Sequence, residues 1–173
     1  GTTDAGPIVL PQGAPEIGQG STTVIAQIFA DALGVPVGAL TLVGPDTALT
    51  PDCGKTSASR QTVVTGKAAM RSGERLRAEI LRLTNRGEDA RISVGDGRIV
   101  VTDGSGAAEI DLAALPEGPP GYRLVAEETY DPPTVPLDAD GQGAPYAVYG
   151  YGAHLAEIAR HTLIGIDPND PYG

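Results

Sequence analysis

EIGQGSTTVIAQIF, residues 16–29, joins a glycine-rich turn directly to a segment with helical periodicity. Val24, Ile25, Ile28, Phe29 and Leu33 recur at the spacing of one helix face, and Gly34 supplies a stop. Glycines at 18 and 20 let the backbone turn tightly and let a ligand approach it closely. Ser21 or Thr22 suits a cap, so the first N–H groups of the helix face the turn. Free N–H groups together with the helix dipole form a seat for an anion, phosphate above all. Gln19, held between the glycines, carries an amide suited to a ligand oxygen. Two readings stay open here, a phosphate seat and a plain helix start, and the stretch alone favours the helix start. The dinucleotide fingerprint is not met, because no glycine follows Gly-Gln-Gly three residues on.

Outward from this junction the pattern alternates. PIVL (Pro7 to Leu10) before it is strand-like, and ALTLVG (Ala39 to Gly44) after it reads as a buried strand. A polar loop, PDTALTPDCGKTSASRQT, leads to a second helix over roughly Arg60 to Leu83. Its stripe runs through Leu76, Ile80 and Leu83, and Gly66 and Gly73 weaken its first half. ARISVGDGRIVVTDG reads as a hairpin closed by a Gly-Asp-Gly turn. LPEGPPG is a rigid turn, Tyr122 to Tyr130 is strand-like, and the four prolines of DPPTVPLDADGQGAPY exclude regular structure. YAVYGYGAHLAEI is a last strand candidate. The order predicts an α+β two-layer domain with a mixed sheet and two main helices, a single domain over residues 1–173.

Other segments suggest chemistry to different degrees. Gly54, Lys55 and Thr56 match the end of a Walker A loop, but the required earlier glycine is replaced by Leu49. In TSASRQT the small residues Ser57, Ala58 and Ser59 expose backbone amides, and Arg60 adds a fork of donors suited to phosphate. If that loop folds back beside Gly18–Gly20, both face one polyanion; otherwise it is a polar cap on the second helix. A second Gly-Gln-Gly (residues 141–143) is followed by Pro145 and reads as a turn. His154 and His161 lack a third ligand at metal spacing, no G-x-S-x-G elbow occurs, and Cys53 has no evident base. No catalytic residue and no metal ligand is assigned.

Bulk properties exclude several classes. Carboxylates outnumber Lys and Arg 22 to 12, for a net charge of −10, so nucleic acid and anionic membranes are poor partners. The single cysteine excludes an internal disulfide and an iron–sulfur cluster built within this chain, and it points to a reducing, cytoplasmic setting. No apolar run is long enough for a membrane span. The opening GTTDAGPIVL carries no signal-peptide pattern and reads as a cut end.

Three segments occur in an order that resembles a known family. EIGQGSTTVIAQIFADALGVP, LVGPDTALTPDCGKTSASRQTVVTGKA and YDPPTVPLDADGQGAPYAVYGYGAHLAEI are similar to the molybdenum-binding subunit of the molybdenum hydroxylases, the xanthine dehydrogenase and aldehyde oxidoreductase family. The resemblance reaches from about Pro15 to Ile158 and reverses the preference for a plain helix start. It implies molybdopterin, often as its cytosine dinucleotide, with molybdenum. Gly18, Gln19 and Gly20 would hold the pterin and pyrophosphate from one side, and Ser57, Ala58, Ser59, Arg60 and Gln61 from the other. The family reaction inserts water-derived oxygen at a C–H bond of an aldehyde or N-heterocycle. Implied partners are the remainder of the molybdenum subunit and iron–sulfur and flavin (FAD) domains or subunits. The family's Gly-x-Gly-Glu motif, which carries its catalytic glutamate, does not occur in this sequence. The chain therefore reads as an internal piece of a larger subunit that is inactive alone. The competing expectation is a folded remnant or assembly element that binds no cofactor.

Overall fold

The computed structural model describes residues 1–2, 8–118, 121–148, 150 and 153–156. Strand β1 (Ile8–Pro11) leads through a loop to helix α1 (Ser21–Leu33), which returns to strand β2 (Leu40–Val43). β1 and β2 pair in parallel, with Ile8 opposite Leu40 and Pro11 opposite Val43. This is a βαβ unit, in which both strands point toward the loops that start the following helices. A long loop then enters helix α2 (Gln61–Thr84), followed by strands β3 (Arg91–Gly95), β4 (Arg98–Asp103) and β5 (Gly106–Asp111). The last three form an antiparallel sheet in the order β3-β4-β5. The chain is an α+β protein with two main helices, and the parallel and antiparallel pairings of the expected mixed sheet are divided between two sheets.

α1 buries Ile25, Ala26, Phe29, Ala30 and Leu33, the stripe its periodicity predicts with alanines added. It stops at Gly34, whose left-handed backbone (φ 84°) lets its N–H reach Ala30 O at 2.9 Å. In α2, Leu76 and Ile80 are buried as expected, whereas Leu83 is 40% exposed and Leu81 is buried in its place. The glycines expected to weaken α2 are where it crosses α1. A Cβ added to Gly66 would fall 2.8 Å from Ile28 Cδ1, and one added to Gly73 would fall 2.9 Å from both Ala32 Cβ and Phe29 O. The absent side chains let the two backbones approach, and this outweighs the roughly 1 kcal/mol that a helical glycine costs.

One core joins the layers: Ile8, Leu10, Ile25, Phe29 and Leu33 pack with Leu76, Ile80, Ile92, Ile99, Val101, Ile110 and Leu112. Fully burying each large aliphatic side chain contributes about 1.5–3 kcal/mol. The hairpin forms as its pattern predicts, with Asp96 (φ 49°) and Gly97 (φ 72°) in the left-handed turn between β3 and β4. The Arg86–Asp103 ion pair (3.0 Å) ties the end of β4 to the chain just after α2.

Three strand expectations need correction. ALTLVG is half-buried, because β2 has only β1 as a neighbour among the described residues. Tyr122 to Tyr130 forms no continuous strand: Leu124 bridges Thr2 and Tyr122 bridges Gly118, and no ladder extends beyond them. The candidate YAVYGYGAHLAEI shows no strand at 146–148, 150 or 153–156, and its other residues and His161 lie outside the described residues. The proline-rich stretch before it is irregular, apart from a Val135–Ala144 bridge.

Candidate functional site

Both candidate loops leave the same edge of the parallel sheet. The loop after β1 (12–20) enters α1, and the loop after β2 (44–60) enters α2. In open sheets with this connectivity, ligands bind beyond the carboxyl ends of the strands. The helices also run parallel. Ile28 meets Gly66, Ala32 meets Gly73, and Leu33 O accepts from Arg77 Nη1 at 3.0 Å, so both sequences advance together. The start of α1 therefore lies at the same end as the start of α2, and two positive dipole ends of roughly half a charge each come together.

The loops are tied to each other just ahead of the Gly-Gln-Gly turn. Gly13 N donates to Cys53 Sγ at 3.2 Å, and Thr56 Oγ1 donates to Pro15 O at 3.3 Å. A Cβ on Gly13 would fall 2.0 Å from Pro51 O, so this crossing admits only glycine. The second loop thus folds back beside Gly13–Pro15, adjoining residues 18–20.

Within the turn, Gly18 (φ 97°) and Gly20 (φ 77°) are left-handed, and an added Cβ at either would meet nothing within 4 Å. The backbone here faces open space. No side chain of the N-cap residue, Gly20, is available to cap α1, and neither Ser21 nor Thr22 is the cap. Glu16 takes that place. Its Oε1 accepts from Gly18 N and Gly20 N, both at 2.9 Å, and its Oε2 accepts from Thr22 N at 3.0 Å. The Thr22 amide first, and then that of Gly20, hold the Glu16 carboxyl below the usual range. Gln19 folds back on the turn: Oε1 accepts from Ile17 N at 2.7 Å, and Nε2 donates to Pro15 O (3.1 Å) and Ser21 Oγ (3.0 Å).

The second loop has a different interior. Ser57, Ala58 and Ser59 are exposed, and Ala58 (φ 52°) and Ser59 (φ 55°) are both left-handed without being glycine. Such backbone costs on the order of 1–3 kcal/mol per residue and concentrates at binding sites. Arg60 Nη1 donates to Cys53 O at 3.1 Å and to Lys55 O at 2.8 Å, so one arm of its fork braces the loop. Gln61 is 4% exposed. Its Nε2 donates to Lys55 O at 3.2 Å and Thr56 Oγ1 at 3.1 Å, and its Oε1 accepts from Thr65 Oγ1, which makes it a strut beneath the loop. Gly150 lies against Ser59, where an added Cβ would be 3.4 Å from Ser59 Oγ.

Sequence reasoning passed over two residues. Glu16 was in plain view as an acidic residue just ahead of a helix start, the usual signal for a dipole-compensating carboxylate. Gln12 is 3% exposed; its Oε1 accepts from Ala14 N at 2.7 Å, and its Nε2 is a buried donor with no acceptor. It lines a largely apolar cleft of about 330 Å³ together with Phe29, Cys53, Thr65 and Ser72. No sequence pattern marks it. The second Gly-Gln-Gly is a turn, with Asp138 N donating to Gln142 O at 2.8 Å. His154 is exposed. Among the described residues no cluster of His, Cys, Asp or Glu has the form of a metal site, and no helix is long and apolar enough to cross a membrane.

Comparison with known proteins agrees with the resemblance to molybdenum hydroxylases. Residues 2–166 match the family model of the molybdopterin cofactor-binding domain. A xanthine dehydrogenase of Oryza sativa subsp. japonica is 27% identical over 161 residues, covering 92% of this chain and 10% of that protein. The gamma subunit of the 6-hydroxypseudooxynicotine dehydrogenase complex of Paenarthrobacter nicotinovorans is 31% identical over 169 residues, 89% of this chain and 19% of the subunit. Xanthine dehydrogenase 2 of Arabidopsis thaliana is 26% identical over 160 residues, 92% of this chain and 11% of that protein. The chain thus spans between a tenth and a fifth of the length of these relatives. By a family match running almost end to end, the chain belongs to the molybdopterin cofactor-binding domain family.

Proposed function

We propose that the chain is a single cofactor-binding domain of a molybdenum hydroxylase of the xanthine dehydrogenase and aldehyde oxidoreductase type, gripping the pterin and pyrophosphate of molybdopterin. The observation that carries this reading is the convergence of two helix starts, with their tied loops, at one edge of the parallel sheet. The donors present fit the group. The backbone over Gly18 and Gly20 is open to a close approach, the small residues of the Ser57–Ser59 turn are exposed, and the unmet Gln12 Nε2 suits a ring acceptor.

Gly18, Gln19 and Gly20 hold the cofactor from the α1 side, and Ser57, Ala58, Ser59 and Arg60 from the α2 side. Gln61 acts from beneath by keeping the second loop in shape. Bound molybdopterin supplies the redox centre for oxidising an aldehyde or N-heterocycle with oxygen from water. The iron–sulfur and FAD groups that accept the electrons, and the rest of the molybdenum subunit, lie on other domains or subunits, and this domain alone does not turn over substrate.

Metal and phosphorus analysis of the native assembly isolated from its source is expected to give stoichiometric molybdenum. A molybdenum-free assembly would overturn the cofactor reading. In the same assembly, Arg60→Ala is expected to weaken cofactor retention by roughly 1.5–3 kcal/mol, the scale of a charge-assisted hydrogen bond. Unchanged molybdenum occupancy would remove Arg60 from the site.

A further inference from the structure

Residues 122–130 cross the molecule as an extended strap that is fixed firmly only where it begins. Arg123 N donates to Thr2 O at 2.7 Å, Thr2 N to Leu124 O at 3.0 Å, and Leu124 N to Thr2 Oγ1 at 3.2 Å. Among the described residues no main-chain pairing fastens the strap from Val125 to Tyr130. Two arginines on one face of α2 hold it instead. Arg75 Nη1 donates to Glu127 O at 3.3 Å and to Glu128 Oε1 at 2.9 Å, and the Arg71 guanidinium lies 5.1 Å from the centre of the Tyr130 ring. Inside this span the strap is not packed down. Val125 and Ala126 form one wall of the 330 Å³ cleft whose other walls include Phe29, Ala69 and Cys53. A close-packed interior leaves no space of that size, so the strap edges a gap. Farther along the same chain, Gly150 lies against Ser59 in the second candidate loop.

We propose that the strap is a salt-sensitive gate on this cleft, latched to α2 by Arg71 and Arg75, and that its release draws the chain at Gly150 away from Ser59. The latch is weak by construction. The side chains of Arg75 and Glu128 are 65% and 29% exposed, and an ion pair this open is screened by salt. The arginine over Tyr130 adds a second contact of similarly small strength. A segment with few buried contacts and no ladder opens far more readily than the core unfolds. The Thr2–Leu124 pairing stays in place as the hinge, so the swing begins at Val125. Opening uncovers Phe29 and Cys53 in the cleft. It also loosens the irregular chain that leads through the Val135–Ala144 bridge to Gly150, so one movement is felt both at the cleft and at the Ser57–Ser59 turn. The gate uses no group of the proposed cofactor grip as its latch.

Cys53 is the single cysteine of the chain and a built-in reporter of the gate. The test is its labelling rate with iodoacetamide in the full 173-residue chain and in the Arg71→Ala/Arg75→Ala variant, with ¹⁵N amide spectra of both. Labelling should be severalfold faster in the variant, and raising the salt to about 0.5 M should move the native chain part of the way there. Arg75→Lys, which keeps the charge, should stay close to the native rate. The amides of Ser57, Ser59 and Gly150 should shift in the double variant, and those of Asp96 and Gly97 in the distant hairpin should not. Equal labelling rates in the native chain and the double variant overturn the gate. Faster labelling with Ser59 and Gly150 unmoved overturns its link to the second loop. Faster labelling accompanied by shifts throughout the hairpin means general loosening, and overturns the inference as well. No cofactor enters the experiment, so each of these failures leaves the cofactor reading standing.

Discussion

The two ends of the helix pair are finished in opposite ways. At the carboxyl end, terminal carbonyls of both helices have fixed donors. Arg77 donates to Leu33 O at 3.0 Å, to Glu88 O at 2.8 Å and to Ala90 O at 2.7 Å, which places a cation at the negative end of α1. Gly34 and Asn85 close α1 and α2 in left-handed backbone, and Arg86 N reaches back to Leu81 O at 3.0 Å. At the amino end, Glu16 answers for α1, while α2 begins without a side-chain cap beside two strained residues, Ala58 and Ser59. Parallel packing brings like dipole ends together at both extremities. The cation of Arg77 and the left-handed closures serve one extremity, and at the other the Glu16 carboxylate serves α1 alone.

The comparison depends on the helices staying parallel and close, so the largest effect is expected where they touch. Gly73→Val would press its side chain on the Phe29 carbonyl, a backbone atom that cannot move aside, and should cost about 2–3 kcal/mol in urea unfolding. A native-like midpoint would mean that the helices separate without penalty and that the shared end is fortuitous. Arg77→Ala is next. It removes the donors of three carbonyls and should destabilise by about 2 kcal/mol, with Arg77→Lys recovering part of it. Since it acts at the closed end, pyrophosphate binding by the folded variant should be unchanged; a large loss of binding would mean that the two ends are coupled. Gly20→Val is the smallest in stability, roughly 1–2 kcal/mol for a β-branched residue at φ 77°. It should nevertheless lower cofactor retention more than it lowers the melting temperature, because the displaced backbone is that of the turn itself. Retention that falls only in step with stability would make the turn a helix start and no more.

The features legible in the sequence were those set by near neighbours in the chain. The stripe Ile25, Phe29, Leu33 with its Gly34 stop, and the hairpin around Asp96–Gly97, formed where the pattern placed them. β5 went unread because GAAEID has small and polar residues at most positions and becomes a strand by pairing with β4, Ile110 opposite Ile99. The stripe of α2 ends two residues earlier than its pattern indicates, at Leu81 rather than Leu83, since the packing around the helix decides which face is inside. Gln19 illustrates the limit at the site. Its place between two glycines was evident, whereas the turn of its amide back onto Ile17, Pro15 and Ser21 follows from the folded shape of the loop.

By itself, the sequence determined the turns, the helix starts and the acidic balance, because φ preferences, caps and charges act within a few residues. It also carried the motif order that identifies the family. Only the tertiary structure decided that two glycines in α2 serve a close crossing, that α1 and α2 run parallel, and that loops 40 residues apart meet through Gly13 and Cys53. Those outcomes depend on which surfaces are buried together, and burial is settled by the whole core at once.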